Sequence, residues 1–406
     1  MNLTDKMPPY YTDNELTKKL SVLPEIKPDD TSKQSRLLNL LSVYDLFIPT
    51  NMAREIYSTV YFALVRSLNR KSKLYDTYKM NDNRKVINGR GITSGINGGD
   101  CSLIVGDSGV GKSQSIARAV SIISENSVIE TESPYCTVIP VMTVEASPMV
   151  SIKGFFLEIL RVMDSIIGTD YYIANNRTTI NTDSLLGAVS NALLLHCGVL
   201  IVDEVDRLVG NKKSYTFVNF ITELLNMCGI SVIFVGTPRA IEFFSSTEYL
   251  SRRSMGNIYR QMPYGNEYYG FCKELFNYQF TLHKTELDSN ILRLFYKYSN
   301  GIAALTVQLF VAAQQIAISN GYEKLDMLSA SQAFTDKMSI ITPYADLGKH
   351  IFPNARSQNE MSETDNGTIS FDYNNIFENL SARADKSADK AIEILSKYIT
   401  VECIKL

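Results

Sequence analysis

From Cys101 to about Tyr259 short apolar runs alternate with longer amphipathic stretches, the pattern of a parallel sheet covered by helices on both faces. Four runs, 101–105, 137–142, 199–202 and 231–235, are aliphatic or β-branched enough to be strands buried on both sides. Helical spacing follows at 112–123, 152–167, 184–195 and 214–227, the second and third of these lying between the second and third strands.

The flanks read differently. The first 30 or so residues, rich in Pro, Asp, Lys and Thr, predict a loosely ordered arm. At 35–44 and 51–70 apolar residues recur at helical intervals (Leu37, Leu38, Leu41; Ile56, Val60, Ala63, Leu64), which predicts a small cap beside the main domain. The polar stretch 71–100, ending in a glycine-rich run, reads as a linker. Strand signals vanish after residue 266, and segments near 266–280, 287–299, 302–319 and 327–338 predict a separate helical domain. A polar linker over 354–373 leads to an amphipathic helix over 375–398, whose apolar stripe suits a docking partner.

Composition narrows the class. The 406 residues suffice for two or three domains, and 45% hydrophobic with 20% charged residues is the balance of a soluble globular chain. No apolar run approaches the roughly 20 residues of a membrane span, and the N-terminus has no export or import pattern, so the cytosol is expected. A net charge of −3 confines any nucleic-acid contact to a local patch. Six scattered cysteines read as buried thiols, and three histidines without ligand spacing leave His196 as a packing or helix-end residue.

The chemistry is concentrated at strand ends. Gly106-Asp107-Ser108-Gly109-Val110-Gly111-Lys112-Ser113 follows a strand and opens a helix, the context of a phosphate-binding loop, with Gln114 next to it. Its amides would face phosphate oxygens at a helix N-terminus, Lys112 would contact the β- and γ-phosphates, and the Ser113 hydroxyl would ligate Mg²⁺. Asp203 and Glu204 end the apolar run 199–202: Asp203 would hold Mg²⁺, and Glu204 would orient and deprotonate the attacking water of ATP hydrolysis. Thr237 tips the run 231–235 and suits a hydrogen bond to the lytic water or γ-phosphate, although a Thr before Pro238 is also a good helix start. In Ser251-Arg252-Arg253 either arginine could be a finger that reaches a neighbouring subunit's nucleotide.

This order of elements resembles an AAA+ P-loop ATPase, and more narrowly the TnsC/TniB family of transposition regulators. The resemblance, over roughly 95–325, is carried by Ser151-Ile-Lys-Gly154, Leu160 with Asp164, Ile167-Gly-Thr-Asp-Tyr171, Val202-Asp-Glu-Val-Asp-Arg-Leu208, Val235-Gly-Thr-Pro-Arg-Ala240, Ser251-Arg-Arg253, and Tyr298-Ser-Asn-Gly-Ile302 with Val307 and Leu309. With the two ends, which lie outside the resemblance, the chain divides into an N-terminal arm and helical cap (1–94), an AAA+ α/β nucleotide-binding domain (95–262), a small all-α lid (263–345), and a flexible linker with an amphipathic tail helix (346–406). The resemblance itself concerns the ATPase. It implies a bacterial cytoplasmic ATPase that oligomerises with ATP and Mg²⁺ on double-stranded DNA as a ring or helical filament, links a target-selector protein to a DDE transposase, and dismantles itself on hydrolysis. One departure is Ser299-Asn-Gly-Ile-Ala-Ala-Leu305, which has no Arg where initiator-type relatives carry a second sensor, so slow turnover is expected. Lys153 with Ser151, and then Lys212 and Lys213, are the candidates for phosphate-backbone contact. An origin-type initiator or helicase loader, and a nucleotide-switched signalling scaffold, are the alternative functions.

Overall fold

The structure is a computed structural model that describes residues 3–25, 32–88, 99–125, 128–132, 135–146, 151–208, 214–245 and 254–339. The 354–373 linker and the 375–398 helix expected from the sequence lie outside these residues. In chain order the helices are α1 (Asp13–Leu20), α2 (Lys33–Asn39), α3 (Asn51–Asn88), α4 (Lys112–Ser124), α5 (Ile152–Ile167), α6 (Tyr171–Asn175), α7 (Thr182–His196), α8 (Ser214–Cys228), α9 (Ala240–Ser245), α10 (Asn266–Phe276), α11 (Ser289–Ser299), α12 (Ala303–Ser319) and α13 (Met327–Ala333). The strands are β1 (Cys101–Gly106), β2 (Ile129–Glu132), β3 (Tyr135–Glu145), β4 (Cys197–Asp203), β5 (Ser231–Gly236) and β6 (Ser254–Tyr259). They form one sheet in the order β2-β3-β4-β5-β1-β6.

The expected α/β sheet is present, with two additions. β6 pairs in parallel beside β1, and the short β2 pairs antiparallel with β3 at the opposite edge. Neither has the continuous aliphatic run that marks a doubly covered strand: β2 is Ile-Glu-Thr-Glu and β6 is Ser-Met-Gly-Asn-Ile-Tyr. The central strands alternate between two cores with the period of a pleat. Leu103, Val105, Leu200, Val202, Val232 and Phe234 face one core, while Ile104, Val199, Ile201, Ile233 and Val235 face the other. Helices α5, α7 and α8 fill the first side.

The second core corrects the reading of the N-terminus. Among the described residues from β1 to β6, α4 supplies most of the helix side chains in this core, and α3 joins it there. Ile56, Tyr57, Val60 and Leu64 of α3 are fully buried and the helix packs on β4 and β5, so it is a layer of the main domain and not a cap beside it. It continues unbroken to Asn88, through the first half of the segment read as a linker. Lys71 and Tyr75 explain why the polar sequence stays helical: Lys71 Nζ donates to the carbonyls of Leu193 and Leu194, and the Tyr75 hydroxyl donates to that of Leu195. They add donors to the carbonyls of the last turn of α7, where backbone partners run out after the Cys197 amide has bonded to Leu193. Nor is the start of the chain a loose arm, since Leu3, Tyr11, Leu16 and Leu20 are buried against α3 and α4.

A third core contains α10, α11, α12 and α13, including Phe271, Leu275, Phe295 and Phe310. Asp288 caps α11 through the amides of Asn290 and Ile291, and Asp326 and Ser329 form a reciprocal capping box on α13. His196 ends α7 with its Nδ1 hydrogen-bonded to the Thr137 carbonyl and its Nε2 to the Tyr171 hydroxyl, a packing position. Five of the six cysteines are buried and free, and Cys403 lies outside the described residues. No single described helix is long and apolar enough to cross a membrane.

Candidate functional site

The C-terminal ends of β1, β4 and β5 meet at a cavity of about 420 Å³. Gly109 (φ 80°) and Gly111 (φ 104°) turn the loop after β1 so that α4 begins at Lys112. Lys112 curls back, its Nζ donating to the carbonyls of Gly106 (2.6 Å) and Asp107 (2.9 Å). Burial pushes its pKa down, against the pull of Asp203, Asp206 and Asp107. Partial burial also raises the carboxyl of Asp107, with Lys112 and Arg260 acting in the opposite direction. Ser108 through Ser115 line the cavity.

The loop and the acidic strand touch. The Ser113 hydroxyl donates to Asp203 Oδ2 (3.0 Å), and the other carboxylate oxygen accepts the amide of Glu204 (2.8 Å). A hydroxyl and a carboxylate in direct contact at a phosphate loop are the donor set for Mg²⁺ bound with a nucleotide, so these residues fit the ion. Glu204 has φ 58°, a left-handed conformation uncommon for a side-chain-bearing residue and the kind of strain that collects at functional sites. Partial burial, reinforced by the neighbouring Glu145 and opposed by Arg207, raises its carboxyl pKa, the direction that makes a carboxylate a stronger base. Arg207 bridges the two acids: it pairs with Glu204 and, at 2.7 Å, with Glu145, whose Cα lies opposite Asp203 in the β3–β4 register.

Asp206 is the functional residue that sequence reasoning missed. Its two oxygens accept the amide (3.0 Å) and the hydroxyl (2.9 Å) of Thr237, which fixes that residue at the cavity edge. Gly236 makes room, because a Cβ there would stand 2.7 Å from Asp206 Oδ1. The signal was available as a third carboxylate, three residues beyond Asp203 in the same acidic run.

The opposite side of the cavity is apolar and comes from two distant parts of the chain. Val43, Leu46, Phe47, Ile48 and Met52 face it from the N-terminal segment, and Phe271, Ala303, Ala304 and Val307 face it from the helical lid. The Ala304 amide donates to the Gly109 carbonyl (3.1 Å), so the start of α12 sits directly on the phosphate loop. Of these residues only Val307 stands among those that carry the family resemblance, and only the fold brings the two groups together.

The other expected residues are elsewhere. Ser151 caps α5 by accepting the Gly154 amide, and Lys153 Nζ donates to the carbonyls of Arg177 (2.9 Å) and Ile180 (3.1 Å). Arg252, Arg253, Lys212 and Lys213 lie outside the described residues.

A phosphate loop after β1, an acid pair after β4, a held hydroxyl after β5 and an all-helical lid, on a sheet of this strand order, define a P-loop ATPase fold of the AAA+ type. Residues 96–256, the segment that carries the phosphate loop, Asp203, Glu204, Asp206 and Thr237, match the family described as bacterial TniB protein. The resemblance drawn from the sequence is therefore borne out over that segment. No curated protein matches the chain. Solved structures similar to it include the Aeropyrum pernix Orc1 protein in complex with DNA (16% identity, 66% of this chain and 64% of that one, TM-score 0.40). Others are Cdc6p from Pyrobaculum aerophilum (13%, 66% and 66%, TM-score 0.42) and domain III of the Thermotoga maritima replication initiation protein DnaA (15%, 64% and 90%, TM-score 0.34). The chain thus spans less than two thirds of the length of the first two.

Proposed function

We propose that this chain is an ATP-dependent regulator of DNA transposition that assembles on target duplex DNA, links a target-selector protein to a DDE transposase, and hydrolyses ATP to come apart. The observation that carries this reading is the joining of a TniB-family segment to a site in which Ser113, Asp203 and Glu204 stand in contact order around a phosphate loop. Bound Mg²⁺·ATP would supply the electrophilic phosphoryl group. Lys112 and the loop amides would hold its charge, Ser113 and Asp203 would hold the ion, and Glu204 would take a proton from water oriented with the help of Thr237.

Glu204 in its present pairing with Arg207 is not free to act as a base, which supports slow turnover until the pair rearranges. An arginine at 252 or 253 would complete the site from a neighbouring subunit, so hydrolysis would depend on assembly. For DNA, the candidates are Lys212, Lys213, Ser151 and Lys153, and the last would exchange two backbone carbonyls for phosphate oxygens. A bacterial cytoplasmic location follows from that work.

Electron microscopy of the protein with duplex DNA and a non-hydrolysable ATP analogue tests the reading. Rings or filaments on DNA that need the analogue are expected; particles that stay monomeric under every condition sink the mechanism.

A further inference from the structure

Residues 32–46, and Ile48 beyond them, pack with the lid, while Phe47 packs against the sheet-side core. Leu40 and Val43, 2% and 0% exposed, are in the same core as Phe271, Phe295 and Phe310. Arg36 grips both carboxylate oxygens of Glu323 (2.5 and 2.8 Å) and donates to the Phe280 carbonyl (3.2 Å), while Lys33 Nζ donates to the Ser319 carbonyl (2.7 Å). The chain on either side belongs to the motor. Before it, Leu16 and Leu20 are buried against the sheet-covering helices, and Arg118 of α4 donates to the carbonyls of Lys19 and Leu20. After it, α3 lies across the sheet.

The points where the chain leaves the motor and returns to it are tied together. Val22 and Phe47 exchange both backbone hydrogen bonds (3.0 and 2.9 Å) as an isolated antiparallel bridge. The returning stretch lines the nucleotide cavity with Phe47, Ile48, Thr50 and Met52. At its end the Asn51 amide donates to Glu267 of α10, so the first turn of α3 is capped by a lid carboxylate.

We propose that residues 32–52 form a strap through which nucleotide occupancy sets the position of the lid, with Arg36 as a positioning residue that acts through its pair with Glu323. This rests on the nucleotide reading of the cavity. A ligand that fills the space between the phosphate loop and the apolar wall touches both bodies and the strap that joins them, so it binds best when all three are docked. Arg36 holds the strap to the lid through a bidentate, largely buried ion pair, the strongest class of side-chain hydrogen bond. Loosening that latch lowers the share of molecules with a formed apolar wall, and affinity falls by the same factor.

The test uses the full chain, a fluorescent ATP analogue with Mg²⁺, and hydrogen exchange. In the wild type, nucleotide is expected to slow exchange in the peptides covering 33–48 together with those of α10 and α12. Arg36→Ala should weaken binding about tenfold and abolish the protection at 33–48. Phe47→Ala, which leaves the latch and the backbone bridge in place, should weaken binding while retaining that protection, and it serves if Arg36→Ala does not fold. Wild-type affinity in Arg36→Ala, or protection of the phosphate loop without any at 33–48, overturns the strap. Equal failure of wild type and Lys112→Ala to bind nucleotide overturns the nucleotide reading itself, a result distinguishable from either.

Discussion

One wall of the cavity is built from the ends of β1, β4 and β5, and the other from residues 43–52 and the lid residues 271–308. On the polar wall the spacing of functional groups is set by strand register: β4 pairs with β3 and β5, so Asp203, Glu145 and the approach to Thr237 are placed by the backbone ladder. On the apolar wall nothing is set by register. Its position depends on three cores packing at once and on single links such as Ala304 to Gly109 and Arg36 to Glu323. The polar wall should therefore control the rate of the chemistry with little effect on stability, and the apolar wall should control affinity and lid stability with little effect on the chemistry.

The sharpest division comes from Glu204→Gln. Removing the base should lower hydrolysis by about 10²–10⁴-fold, the usual worth of general-base catalysis, while nucleotide affinity is retained. Parallel loss of affinity and rate would erase the distinction between the walls. Asp206→Ala tests the next layer. Thr237 would lose the partner of its amide and of its hydroxyl, and if roughly 1–3 kcal/mol for groups left unsatisfied falls on the transition state the rate should drop about 5- to 160-fold. A steady-state rate assay beside a binding isotherm separates this from a loss of affinity.

How much could be read in the sequence follows the same division. The loop 106–113 and the pair Asp203 and Glu204 are contiguous, and their residue types have few other uses at a strand end, so their contact was legible. The four central strands were legible because burial on both faces writes itself as an aliphatic run. β2 and β6 lie at the edges, where that pressure is weaker, and their sequences do not show it. The N-terminal reading failed for a different reason. At 35–44 the spacing pointed to Leu37, Leu38 and Leu41, yet Leu38 and Leu41 are exposed and Leu40 and Val43 carry the buried face, because α2 ends at Asn39 and the chain tightens into a 3₁₀ turn over Leu40–Asp45; nor does periodicity say against what a face is buried. The partner of Arg36 is Glu323, and no local pattern connects them.

A smaller effect is expected at Val43, which is fully buried in the lid core. Val43→Ala should cost about 1–3 kcal/mol of stability through lost burial and the residual cavity. In a denaturant titration the midpoint should drop, while the hydrolysis rate at saturating ATP stays near that of the wild type. A fall in that rate as large as the one from Asp206→Ala would mean that the apolar wall also positions the chemistry.

The gentlest probe is pH, acting on the latch without any substitution in the cavity. The Arg36 guanidinium holds the Glu323 carboxyl below the usual carboxylate range, with the Leu282 amide adding to the effect against the cost of burial. Because the folded pKa is depressed, the pair's stabilisation is fully present above the ordinary Glu value of about 4.3 and is lost as pH falls through the lower folded value. Glu323→Gln removes the charge at every pH. Wild type and Glu323→Gln should therefore differ in nucleotide affinity by a constant factor from pH 7 down to about 5, and the difference should close only below about 4. Titration of fluorescent-nucleotide binding in both proteins, at each pH where both remain folded, measures that factor. Convergence already near pH 6 would assign the effect to a group other than Glu323 and detach the apolar wall from the latch.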